Sequence, residues 1–140
     1  MPLIDNPTDF SQCDQWEDFS RCPFYDRVPV VGYASRGSSG LVAIAGIGFQ
    51  PSLIQLIAND THNNQFTFSH GYDDGTTAFC HYQSGGTSIQ ALETVHSIYV
   101  YRSGGQYIYA NVDSLDADGF TLLFNQGGTG ACDFSWMCFH

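Results

Sequence analysis

Residues 120–139 read FTLLFNQGGTGACDFSWMCF, and their alternation decides the fold. Phe120, Leu122 and Phe124 alternate with Thr121 and Leu123. Beyond the break at Gly127-Gly128, Cys132, Phe134, Trp136 and Cys138 alternate with Asp133, Ser135 and Met137. Successive side chains of a strand point to opposite faces, so a period of two predicts two strands, each with one buried face. A slip of one residue in the second strand would put Asp133 inside and Trp136 in water. An unpaired buried carboxylate is costly enough to forbid that slip. Phe120, Phe134 and Trp136 are therefore candidate core residues, joined by Phe49 and Pro51 at the entry to an earlier apolar run.

Short runs of the same kind, divided by turn residues, extend back to residue 41. They predict strands over 41–47, 52–59, 65–72, 76–82, 97–101, 107–115, 120–124 and 132–139. Asp73-Asp74-Gly75 and Gly104-Gly105 read as tight hairpin turns. In the third run Phe66, Phe68, His70 and Tyr72 share one face, and His70 reads as a core histidine. Residues 89–96 are expected to make one helical turn. Strands at this spacing, without an amphipathic helix between them, define an all-β fold: an antiparallel β-sandwich of about six to eight strands.

Residues 1–38 differ in composition. They hold six of the acids, four of the five prolines, and the aromatics Phe10, Trp16, Phe19, Phe24 and Tyr25, without a lasting period. This predicts an extended acidic and aromatic N-terminal arm, followed by a sandwich domain over 39–140. The arm aromatics are too many for a solvated tail and are candidate subunit-interface residues.

The charge balance narrows the function. Fourteen Asp and Glu stand against four Arg and no Lys, a net charge of −10, and charged residues make up only 13% of the chain, where about 25% is usual. Nucleic-acid binding needs cations to displace phosphate counterions, so no nucleic-acid partner is expected. The aromatic content, 15%, argues against disorder. The first twenty residues lack the cationic and apolar regions of a signal peptide, and no run reaches the roughly 18 apolar residues of a membrane helix. Neither a membrane partner nor general export is expected.

Little in the sequence suggests catalysis or a cofactor. There is no G-x-S-x-G elbow, and the histidines form neither H-x-H nor H-E-x-x-H, so no zinc site is indicated. Asp116–Gly119, DADG, lacks the spacing and closing Glu of an EF-hand. Asp73 and Asp74 are read as turn residues rather than paired catalytic carboxylates. Of the five cysteines, Cys13 and Cys22 are candidates for a disulfide closing a short loop. Cys132 and Cys138 share one strand, roughly 20 Å apart, beyond the ~7 Å reach of a disulfide. With Cys80 they read as buried free thiols. Tyr99, Tyr101, Tyr107 and Tyr109 flank the Gly104-Gly105 turn. They are either cross-strand pairs that stabilise a sheet or an aromatic surface for a sugar.

Two segments carry a resemblance. GIGFQPSLIQLIA (46–58), with its G-F-x-P turn, and DADGFTLLF (116–124), followed by FSWMCF (134–139), resemble a β-sandwich module of bacteriophage structural proteins. More distantly they are similar to the H-type lectin domain, a six-stranded antiparallel sandwich that trimerises. The resemblance spans about residues 41–139. It implies a virion protein assembled in the host cytoplasm, a homotrimer with major capsid or tail proteins as partners. The absence of a shaft and the presence of an arm favour a capsid decoration (cement) protein or a head or tail accessory. The alternative is a lectin-like receptor-binding module, a tail-fibre tip with a surface glycan as partner.

Truncation of the Trp136 side chain tests the alternation. Trp136→Ala is expected to lower unfolding stability by about 3–5 kcal/mol; an unchanged thermal midpoint would mean that the indole lies on the surface, in a sugar or subunit contact.

Overall fold

The computed structural model describes residues 29–61, 67–85 and 89–140. Among these, ten strands form two antiparallel sheets: β1 (Val30–Arg36), β2 (Gly40–Ala45), β3 (Leu53–Asp60), β4 (Phe68–Asp73), β5 (Ala78–Ser84), β6 (Ile89–Glu93), β7 (Ile98–Tyr101), β8 (Tyr107–Asp116), β9 (Gly119–Gly127) and β10 (Cys132–Phe139). The larger sheet has the order β1-β10-β3-β4-β5-β6, and the smaller β2-β9-β8-β7. The protein is an all-β sandwich.

The core lies between the sheets. Ile54, Leu56 and Ala58 of β3, with Cys132, Phe134 and Cys138 of β10, meet Ile108 and Ala110 of β8 and Phe120, Leu122 and Phe124 of β9. Pro51 is fully buried, and Phe49 packs partly buried against the cluster. Trp136 closes one end: its ring stands edge-on to Phe120 at 6.1 Å and tilted to Phe134 at 5.9 Å. Its partner in register is Gly32, where a Cβ would overlap the indole. Asp133 points outward and accepts a hydrogen bond from the Ser35 hydroxyl.

Three expectations from sequence are corrected. The sandwich takes in Val30–Arg36, which pairs along its whole length with β10, so the boundary placed at residue 38 falls inside the fold. Arg36 explains why the adjoining Gly-Ser-Ser is a built turn: its guanidinium donates to the carbonyls of Ser38 and Ser39, at 2.8 and 2.9 Å. Residues 89–93 form an edge strand paired with β5 rather than a helical turn, because pairing outweighs the mixed propensity of Ile-Gln-Ala-Leu-Glu. His70 is not a core histidine. On β4 the buried residues are Ser69, Gly71 and Asp73, while Phe68, His70 and Tyr72 face outward.

This inversion has a cause. Strand β7 crosses close over β4, and the inner face of β4 must be small and polar to receive it. The Tyr99 amide donates to the Ser69 hydroxyl at 3.0 Å, and the Val112 amide donates to Asp73 Oδ2 at 2.8 Å. Between them a Cβ on Gly71 would collide with the Ser97 carbonyl oxygen and with the backbone of Phe79. Farther along, Arg102 at the end of β7 grips Asp60 at the end of β3 through two hydrogen bonds; their side chains are 12% and 1% exposed. A buried bidentate pair of this kind fixes geometry more surely than it adds stability.

Gly71→Ala is expected to destabilise the sandwich by about 2–3 kcal/mol or more, since backbone atoms rather than a movable side chain oppose the new methyl. Urea unfolding measures it, and a loss under about 0.5 kcal/mol would mean that the two strands are free to separate.

Candidate functional site

Two surfaces gather side chains able to bind something. The first is an aromatic strip where the edge of the smaller sheet meets the overhanging part of the larger. Tyr99 and Tyr109 face each other across the β7–β8 ladder, as do Tyr101 and Tyr107. The Tyr99 and Tyr109 rings lie 6.2 Å apart and within 13° of parallel; those of Tyr107 and Tyr109 lie 5.7 Å apart and within 15°. All four tyrosines are half-buried. They are therefore cross-strand pairs, and their remaining exposed edges still form a continuous surface.

The larger sheet adds groups that the sequence did not associate with this strip. Tyr82 of β5 reaches past the edge of β7 to place its ring 4.8 Å from that of Tyr99. His96, in the connection from β6 to β7, lies tilted against Tyr109 with ring centres 4.1 Å apart. Its Nδ1 lies 3.4 Å from Glu93 Oε1 without hydrogen-bond alignment. Burial holds the His96 imidazolium below the usual histidine range of 6.5, with the Glu93 carboxylate opposing that shift. Burial, and then the charge of Glu93, push the Tyr82 hydroxyl upward. The Tyr99 hydroxyl rises too, chiefly through burial, with smaller contributions from Tyr82 and Glu93. The strip thus presents phenol hydroxyls and an imidazole, a set suited to stacking and hydrogen bonding.

The second surface is the outer face of the larger sheet. Phe68, His70, Tyr72 and Phe79 form a ladder with ring separations of 6.4, 5.2 and 5.5 Å. Gln55 and His70 are joined at 2.7 Å through Nε2 of each, and His81 stands opposite His70 in register. Ile57 and Leu92 continue this row on either side, and Val31 and Tyr33 carry the face across β1. Tyr33 is 86% exposed, Val31 64% and Leu92 53%. Hydrophobic alternation alone assigns the aromatic side of β4 to the core, whereas in the fold it faces outward.

The carboxylates that invited a chemical reading serve the backbone. Asp73 accepts from the amides of Gly75 and Val112 with its two oxygens. Asp74 caps the turn by accepting from Thr76 and Thr77, which holds its carboxyl below the usual range. Asp116 accepts from the hydroxyls of Ser114 and Thr121, and Asp118 from the amides of Gly46 and Gly48. An open cleft of about 340 Å³ beside Asp73 is lined by Thr76, Thr77, Thr94 and Asn111. Among the described residues no cluster of three or more His, Cys, Asp or Glu is placed to hold a metal, and no helix is long and apolar enough to cross a membrane.

Cys80, Cys132 and Cys138 are buried free thiols. Burial pushes them to about 11, about 12 and about 11, with nearby Asp133 and Asp60 adding to the effect at Cys132. Thiols so rarely ionised are inert toward exchange. Cys13 and Cys22, and the arm residues Phe10, Trp16, Phe19, Phe24 and Tyr25, lie outside the described residues. The chain matches no protein-family model, no curated protein and no solved structure.

The His96 environment gives a pH expectation. Its folded value lies below its unfolded one, so the unfolded chain binds more protons as pH falls below 6.5. Stability is then complete above that range and declines below it. His96→Gln is expected to flatten part of this decline in a series of thermal midpoints against pH. Identical slopes for variant and parent would show that the imidazole is solvated.

Proposed function

We propose that the chain is a bacteriophage virion protein, a capsid decoration (cement) protein or a head or tail accessory, that oligomerises and binds neighbouring virion subunits. The observation that carries this reading is the outer face of the larger sheet, which exposes Tyr33 and Val31 on β1, Phe68 on β4, Phe79 on β5 and Leu92 on β6. Exposed aromatic and aliphatic side chains gathered on one sheet face normally mark a protein–protein contact. The reading gives the N-terminal arm, with Phe10, Trp16, Phe19, Phe24 and Tyr25, the role of contacting neighbouring subunits. It makes the protein a structural component rather than an enzyme, since the turn carboxylates already accept backbone and hydroxyl hydrogen bonds.

A second reading is favoured by the near-parallel Tyr99, Tyr107 and Tyr109 rings beside Glu93 and His96. Aromatic faces pack on the C–H surfaces of sugars, and polar tips meet hydroxyls, so the strip suits a surface glycan in a receptor-binding module.

Location in the particle tests the first reading. Electron microscopy of purified particles is expected to place the chain on the capsid or tail, and its absence from particles would overturn the assignment. Trp16→Ala combined with Phe19→Ala is expected to lower incorporation about tenfold or more, as loss of aromatic hot spots does. A glycan array with saccharide-specific signal, lost in Tyr109→Ala while particle incorporation persists, would select the second reading.

A further inference from the structure

We infer that a second copy of this chain docks on the outer face of the larger sheet, through Ile57, Phe68, His70, Tyr72, Phe79 and Leu92. This rests on the assembly reading above and names the surface that performs it. Three observations choose another copy as the occupant.

The first is charge. The chain carries a net charge of −10, so two copies repel each other through most approaches. The outer face is the exception. Across its rows, from Ser35–Asp133–Asn59–Phe68 to Val31–Met137–Gln55–Tyr72, the one carboxylate is Asp133, at a corner and hydrogen-bonded by Ser35. The other described carboxylates lie in the turns, at strand ends, at the sheet junction or between the sheets, except Asp113, which is exposed at the bulge of β8 in the smaller sheet. Two copies meeting here bring few like charges together.

The second is area. Six strands about 4.8 Å apart, each presenting some 20 Å of length, make a face of roughly 600 Å². Two such faces hide on the order of 1,200 Å², which reaches the lower bound of stable specific interfaces.

The third is self-complementarity. The midline of the sheet runs between β3 and β4, with three strands on each side. One half carries the aliphatic Ile57, Leu53, Met137 and Val31 with Tyr33, set among the short or polar Ser35, Ser135, Gln55 and Asn59 and the single carboxylate of Asp133. Phe68, His70, Tyr72, Phe79 and His81 give the other half its rings. A two-fold axis along that midline lays the ring-bearing half of each copy over the half of the other that carries Ile57, Leu53, Met137 and Val31, as a symmetric contact requires. This pairing differs from the trimer that the lectin resemblance implies.

Sedimentation equilibrium of the full chain tests it. The expected mass is that of two chains, falling to one in Ile57→Asp and in Tyr33→Lys with the far-ultraviolet spectrum unchanged. Should Ile57→Asp fail to fold, Tyr33→Lys and Leu92→Lys, both at edge strands, decide. Leu41→Lys, on the outer face of the smaller sheet, is expected to leave two chains. A single-chain mass for the parent, whether the face is bare or covered by its own residues 1–28, would overturn the inference, as would a three-chain mass. So would a dimer that survives these face variants, or one that Leu41→Lys dissociates. Any of those results leaves the virion reading standing, because particle imaging tests that separately.

Discussion

The close crossing of β7 over β4 is the constraint on which the rest of the sandwich depends. Apolar packing is non-directional and would tolerate many relative positions of the two sheets. The crossing removes that freedom. Ser69 and Asp73 each accept an amide from the opposing sheet, and Gly71 leaves room for the Ser97 carbonyl between them. The Asp60–Arg102 pair continues this polar seam to the end of β3. With the seam fixed, the apolar flank around Phe120, Phe134 and Trp136 can close at interior density. The same seam obliges β4 to turn its aromatic residues outward, so the exposed face follows from how the sheets are held.

How much of this was legible in the sequence depended on what each strand meets. β9 and β10 have one apolar flank and one polar flank, and alternation alone orients them, as Phe120 to Phe124 and Cys132 to Cys138 illustrate. The all-β class followed from the same signal. β4 alternates just as clearly, but hydrophobicity gives the wrong side, because its inner residues answer to a backbone in another sheet rather than to apolar burial. β1 and β6 escaped notice for a different reason. As edge strands they have modest alternation, and only pairing with β10 and β5 makes them strands. Of the aromatic strip, the hairpin tyrosines were readable as neighbours. Tyr82, His96 and Glu93 join them only through the overhang of the larger sheet, which no local pattern encodes.

The acidic composition also takes on a physical sense. The described carboxylates are concentrated where backbone or hydroxyl donors need acceptors. Asp74 and Asp118 tie turns, Asp73 ties a turn to the opposite sheet, and Asp116 binds two hydroxyls. Such bonds to charged acceptors are stronger than neutral ones. A chain with no Lys and few Arg can therefore keep its turns rigid without surface ion pairs, and the broad sheet face stays nearly free of charge.

The placement of β10 between β1 and β3 bears on how the protein is made. Ser35 and Asp133 stand side by side although 98 residues separate them in sequence. During synthesis β1 and β3 emerge long before their shared partner, and each has an unpaired edge until it arrives. Closure of so distant a contact is slow, and open edges invite pairing with other chains. The nascent protein thus passes through an interval of exposure that ends only when β10 inserts between β1 and β3, joining them into one sheet and covering the core together.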